Sequence, residues 1–289
     1  MALSSFPLWI EDRLVDDGRF AAAYDTLSDQ QRGACKLAIA RLETVYGGML
    51  PGRDLRHIEA NGVAHIMRRE PVPWALFLLG QGFASPARLL AALMPAVLAG
   101  VPNILVCRVR GGVTPAPLPP ALLAALELSG QELVADLTPR DARKLVEHAC
   151  EHMTKGRVFF LGSFLGCDNL LLAASRAGHL CRAEFDPPRI AVSPAALPFY
   201  GEEADATPDG AFWPSFGYIH FAHPDAEIMT LEPDIIPGAE EYSCVLCGEE
   251  EVEAWLLSAP LALTPGEEAC WIWPDFSPAF FMETRRALV

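Results

Sequence analysis

The sequence predicts an α/β protein: a Rossmann-like parallel sheet flanked by helices, preceded by a helical N-terminal arm and followed by a smaller acidic α/β or α+β region. Three observations predict it. Short apolar runs alternate with helical patterns between residues 71 and 198, and strands buried on both faces and joined by helices form right-handed βαβ crossovers. A capping-box pattern opens a long helical stretch before residue 50. After Pro194 the rhythm breaks and acidic residues accumulate. The expected regions are therefore 1–70, 71–198 and 199–289.

In the arm, Ser28 followed by Gln31 supplies the box, and Ala34, Leu37, Ala38, Arg41, Leu42 and Val45 recur at helical spacing until Gly47 and Gly48. With the apolar segment from Phe6 to Ile10, this predicts a helical arm through residue 70. WALFLLG (74–80) then reads as a strand, Pro86 to Ala99 as a helix containing Pro95, and NILVCRV (103–109) as a strand. Pro119 to Leu128, Pro139 to His152 and Cys167 to Ala177 read as helices, and 132–137, 157–162 and 189–193 as strands. Beyond them, EYSCVLCG reads as a strand, EEEVEAWLLS as a helix and EACWIWP as a strand.

Charge narrows the function classes. The chain of 289 residues carries a formal charge of −15. No Lys or Arg lies between Ile190 and Glu283, where 18 acidic residues stand. Nucleic acid is bound through Lys and Arg, so that surface excludes it as a partner. A basic protein partner fits, and a homodimer is open. No apolar run is clean and long enough to span a membrane, and no basic start precedes an apolar leader. The eight scattered cysteines make no disulfide framework. The cytoplasm is the expected compartment.

The stretch from Trp74 to Val109 resembles histidinol dehydrogenases and, more distantly, the wider aldehyde-dehydrogenase-like group. In that family a strand ending in Gly-Gly leads to a helix Y-P-S-x-V-L-M-x-x-I-P-A-x-V-A-G-V before the next strand. Met94, Pro95, Ala96, Ala99, Gly100 and Val101 match its ending. Across 158–193, Asn169 falls at the family's G-P-G-N asparagine, Ser175 and Arg176 at its Ala-Lys, and Asp186 near its Asp. The resemblance implies a Rossmann frame, NAD(P) as cofactor and oxidation of an alcohol or aldehyde. It also has departures. Ser85 stands where the family uses a Tyr to contact NAD, and the Q-A-E-H segment of the zinc site and the Glu-His acid/base pair are absent. The chain is shorter than the family's usual length, so much of a second Rossmann-like unit is expected to be missing.

Two glycine turns, GQGFASP (80–86) and GSFLGCDN (162–169), follow strands at the expected carboxyl edge of the sheet. Open α/β sheets bind ligands there, because helix N-termini offer free N–H groups to anions. A crevice lined by Gly80, Gln81, Gly82, Ser85, Gly162, Ser163, Gly166 and Asn169 would hold a nucleotide or another small anion. Cys167 opens the second helix, where the dipole favours a thiolate, and is the one candidate nucleophile; with no His in the motif to activate it, the alternative is a simple packing cysteine.

Other motifs carry two readings each. His220, His223, Cys244 and Cys247 together could hold zinc tetrahedrally; alternatively they are a turn and a strand that do not meet. Cys244 and Cys247 alone form a C-x-x-C, but inside a strand rather than at a helix start. His148-Ala-Cys-Glu-His152 matches H-x-x-E-H, or is the charged end of an amphipathic crossover helix. The competing function is a non-enzymatic binding or scaffold protein working through the acidic C-terminal surface.

Overall fold

The computed structural model describes residues 6–50, 52, 54–111, 117–200, 216–232, 242–274 and 276–289. A 3-10 turn at Leu8–Arg13 leads to α1 (Asp17–Thr26), whose Asp16 side chain accepts from the Arg19 amide. α2 (Asp29–Gly47) opens with the reciprocal Ser28 and Gln31 hydrogen bonds of a full capping box. The chain then departs from the expected helical arm: β1 (Asp54–Ile58) and β2 (Ala64–Pro71) form an antiparallel pair.

Next comes the alternation that the apolar runs predicted. β3 (Ala75–Leu79) is followed by α3 (Pro86–Ala99), β4 (Ile104–Val109), α4 (Pro120–Leu128), β5 (Val134–Leu137), α5 (Pro139–His152), β6 (Arg157–Leu161), α6 (Cys167–Arg176) and β7 (Leu180–Glu184). The five strands are all parallel in the order β5-β4-β3-β6-β7. Since β4 lies on one side of β3 and β6 on the other, the sheet winds in both directions from β3. Alternate side chains serve opposite faces. Phe77, Leu79, Phe159 and Leu161 join the cluster holding α2, α3 and α4. Leu76, Leu78 and Phe160 join the one holding Leu145, Val146 and Ala149 of α5 and Leu170 and Ala174 of α6.

α3 is buried from Pro86 through Ala96. Its Ala91, Ala92 and Ala96 lie in the same buried cluster as Phe77 and Leu79 of β3, and Pro95, also buried, costs it one internal hydrogen bond. Gly100, at φ 80°, ends the helix in the left-handed conformation.

A second parallel sheet follows. β8 (Arg189–Val192), α7 (Phe216–Ala222), β9 (Glu227–Thr230), β10 (Cys244–Leu246), α8 (Val252–Trp255) and β11 (Ala262–Leu263) give the order β11-β10-β8-β9. This corrects two expectations. The run at 189–193 belongs to the second sheet and not to the first, so a boundary at 198 would cut that sheet. A second Rossmann-like unit is present, in short strands, rather than largely missing. The segment 268–274, expected as a strand, has no strand partner; Trp271 and Trp273 instead sink into the core and Trp273 Nε1 donates to the Arg88 carbonyl. β12 (Met282–Leu288) runs back to pair antiparallel with β2. No helix among the described residues is long and apolar enough to cross a membrane.

Candidate functional site at the carboxyl edge of the first sheet

The two glycine turns meet where the winding reverses, between β3 and β6. The Gly80 amide donates to the Leu161 carbonyl at 2.7 Å, and a Cβ on Gly80 would stand 2.4 Å from the Ser163 carbonyl oxygen. Only glycine permits that approach. Gly162, at φ 70°, presses against Phe83. Arg108, next to last in β4 and buried, holds the first turn by donating to the carbonyls of Gly80 (2.6 Å), Gln81 (2.6 Å) and Phe83 (2.8 Å). Burial pushes its guanidinium below the usual arginine range, while Asp136 pulls the other way.

The expected crevice residues divide into two groups. Gly82, Ser163 and Asn169 are exposed, and Gln81, Gly162 and Gly166 are half-buried. Gly80 and Ser85 are inside. The half at α6 is open: Gly166, at φ 82°, begins that helix with no side-chain cap. The amides of Asp168 and Asn169 have no acceptor among the described residues. The half at α3 is closed. Ser85 Oγ accepts from the Arg88 amide at 3.1 Å and donates to the Ala222 carbonyl at 2.7 Å, and Asp225 covers the Ala84 amide.

Two strands along the same edge lies a cavity of about 380 Å³ lined by Arg19, Arg110, Asp136, Thr138 and Asp141 among others. Asp136 Oδ2 accepts from Arg19 Nη1 at 2.8 Å and from Arg110 Nη2 at 2.5 Å. Burial works against ionisation of Asp136, but these two guanidinium groups prevail and hold its carboxyl below the ordinary range. Its Oδ1 and Arg110 Nε are buried without a hydrogen-bond partner among the described residues. A ligand hydroxyl could satisfy them, since buried polar atoms are rarely left unpaired. The Cβ position of Gly111, the residue after Arg110, is 3.2 Å from Gln81 Oε1, so along this ledge the first glycine turn touches the chain that leads from β4 past this cavity.

The candidate nucleophile is not on the ledge. Cys167 is 5 % exposed and packs in the cluster with Phe160, Phe164 and Leu170. Phe164 and Leu170 share that cluster, so the packing reading of Cys167 describes its place and the nucleophile reading has no exposed thiol. Among the described residues the edge carries no exposed histidine or cysteine.

The four residues of the zinc reading are likewise not assembled. His220 is exposed on α7. His223 is buried with both ring nitrogens engaged: Nε2 donates to the Glu268 carbonyl at 2.8 Å and Nδ1 faces Ser85 Oγ. Cys244 is buried in β10 between β8 and β11, and Cys247 is buried just beyond it. Burial raises both thiols, Cys247 to about 11, which disfavours redox chemistry at this C-x-x-C as well. His148 and His152 lie side by side on α5, ring centroids 4.9 Å apart and planes tilted by 59°. No group of three or more metal-ligating side chains is placed to hold an ion among the described residues.

No family model matches the sequence, and no curated protein matches it. Solved structures do. Histidinol dehydrogenase from Elizabethkingia anophelis superposes with a TM-score of 0.60 at 14% identity, covering 97% of this chain and 77% of that one. The chain has the histidinol dehydrogenase fold. Two further structures match at lower scores: PnpE in complex with nicotinamide adenine dinucleotide, with TM-score 0.48, 12% identity and coverage of 94% of this chain and 83% of that one; and betaine aldehyde dehydrogenase from Staphylococcus aureus, with TM-score 0.49, 8% identity and coverage of 94% and 81%.

Within the histidinol dehydrogenase fold this chain has residues that the motifs did not reveal. Arg108 left a signal, a cation inside the apolar run ILVCRV, which a buried strand tolerates only with partners. Arg88 left the same signal on an apolar helix. Asp136 was legible only as the last charge of a strand, and Asp225, in a turn, left none.

Proposed function

We propose that this chain binds a nucleotide or nucleotide-like small anion along the carboxyl edge of its first sheet, with binding rather than hydride transfer as its activity. The observation that carries the reading is the pair Asp136 Oδ1 and Arg110 Nε, buried without a partner among the described residues at a cavity of about 380 Å³ on the same sheet edge as the two converged glycine turns. A carboxylate at the end of a sheet strand is suited to accept from ribose hydroxyls. The open amides at the start of α6, with Ser163 and Asn169 beside them, suit the phosphate end. NAD(P), the cofactor that the fold resemblance implies, fits the α6 end and the Asp136 cavity; it does not fit the α3 end, where Ser85 is inside and Asp225 is already bound. Oxidation is not favoured, because the family's Glu-His pair is absent and the Cys167 thiol faces the core.

The test is a thermal-shift titration with NAD+, NADP+ and ADP. Saturable stabilisation is expected in the native sequence and its loss in Arg110→Leu. Equal response of the two proteins would remove the ledge from consideration.

A second reading has its own observation. Leu256 and Leu257 are exposed, the latter by 82%, beside Glu249, Glu250 and Glu253. An acidic rim around exposed leucines suits a basic, amphipathic protein segment. A photoreactive group at position 257 that crosslinks a synthetic basic amphipathic peptide in the native chain, and fails to after Leu256→Glu, is the expected result.

A further inference from the structure

The nucleotide reading places a ligand's anion at the start of α6. The start of α3, across the winding reversal, is held by an anion of the protein's own. Asp225, in the turn between α7 and β9, puts Oδ2 3.1 Å from the Ala84 amide and 3.3 Å from Arg88 Nη1. Arg88 is 3% exposed, and its Nε has no acceptor among the described residues. Its guanidinium stands over the rings of Phe83 and Trp273, 5.2 Å from each centroid, and 5.9 Å from that of Trp271. Asp225 Oδ1 is also buried without a partner among the described residues.

This arrangement has the chemistry of a bound oxyanion: one oxygen shared between the backbone N–H of Ala84, the residue before the N-cap Ser85, and a buried cation, with a further N–H donor left over. The segment is pinned there by neighbours. Ser85 Oγ donates to the Ala222 carbonyl and His223 Nε2 to the Glu268 carbonyl, Ala222 and His223 standing three and two residues before Asp225. Without the carboxylate, Arg88 would be a buried cation with no counter-charge among its hydrogen-bond partners, which a small anion from solution could supply.

We propose that the start of α3 is an oxyanion site whose resident is the Asp225 carboxylate, and that this resident sets ligand choice by denying the site to a ligand's phosphate. The α6 end admits an anion; the α3 end is filled. Ligands that need both ends, such as a dinucleotide whose phosphates straddle the reversal, bind more weakly than ligands that use α6 alone. The part concerning ligand choice rests on the nucleotide reading; the existence of the site does not.

The experiment is anion rescue. Asp225→Ala lowers the melting temperature, and sodium formate or sodium phosphate, at ionic strength matched with sodium chloride, raises it again with saturation. The native protein and Arg88→Met/Asp225→Ala show no such saturable gain. Where Asp225→Ala does not fold in chloride, Asp225→Ser and the recovery of folded protein on refolding in formate or phosphate carry the same test. A response equal in all three proteins, or none in either single variant, overturns the proposal. Rescue in Asp225→Ala with no nucleotide response in the native protein would retain the oxyanion site and reject the nucleotide reading. Nucleotide binding without rescue would do the reverse.

Discussion

The Ser85 hydroxyl oxygen stands 3.2 Å from Nδ1 of His223, and both residues are in the interior. A serine and a histidine at this distance invite a catalytic reading, yet no substrate reaches them. Their effect is structural: together with the Ala222 and Glu268 carbonyls they join the second sheet's first crossover to the turn after β3.

That burial makes stability depend on pH. Burial pushes His223 down to about 4; the hydrogen bond to the Glu268 carbonyl opposes this and nearby Arg88 adds to it. In the unfolded chain the imidazole takes its proton near 6.5, so between these values the unfolded state binds more protons. Stability therefore falls as pH drops from about 6.5 to about 4, by about 3 kcal/mol in total. The Glu268 carboxyl, raised by burial, contributes with the opposite sign: its share is present below its ordinary value and lost as pH rises through its folded one. Urea denaturation across this window, in native protein and in His223→Gln, checks the histidine share, which is expected to vanish in the variant.

The contact of the two glycine turns makes its own prediction. Gly80→Ala would drive Cβ to 2.6 Å from the Gly162 carbonyl carbon as well as against Ser163, and the obstacle is backbone. A loss of about 3 kcal/mol is expected from such overpacking. Gly82→Ala meets no atom within 4 Å and is expected to stay within about 0.5 kcal/mol. Denaturant midpoints of the pair give the comparison.

Arg108 is expected to be intolerant of conservative exchange. Arg108→Lys keeps the charge but replaces a planar fork by a single ammonium that cannot span three carbonyls. A loss of about 2 kcal/mol or more is expected in both Arg108→Lys and Arg108→Met, because carbonyls that bonded a cation are left short of donors. Near-native stability of the lysine variant would show that the fork is not what holds the turn.

Cys167 is expected to react slowly. Iodoacetamide labelling of the folded protein should modify half-buried Cys150 before Cys167, and Cys167→Ala should leave nucleotide stabilisation unchanged. Mass spectrometry of timed digests checks the order.

The first sheet was legible because its strands are fully buried and read as unbroken apolar runs, with Pro-started helices between them. β7 was missed: its residues are only half-buried or exposed, so LCRAE reads as nothing in particular. β1, β2 and β12 were missed for the same reason, and because β12 meets β2 across two hundred residues of chain, a distance no local pattern reports. β8 was assigned to the wrong sheet, since a buried parallel strand looks alike in either. Of the site, the glycine turns were legible by their position after strands. Which half stays open was not, because Asp225 arrives from a turn 137 residues beyond Arg88, and a lone aspartate in a turn has no periodicity to betray it.

Amide hydrogen exchange with and without saturating NAD+ tests the nucleotide ledge most directly. Slowed exchange confined to Ser163–Asn169 and to the ends of β4 and β5, around Arg110 and Asp136, is the predicted result. No change at saturation, or protection at residues away from this edge, would contradict it.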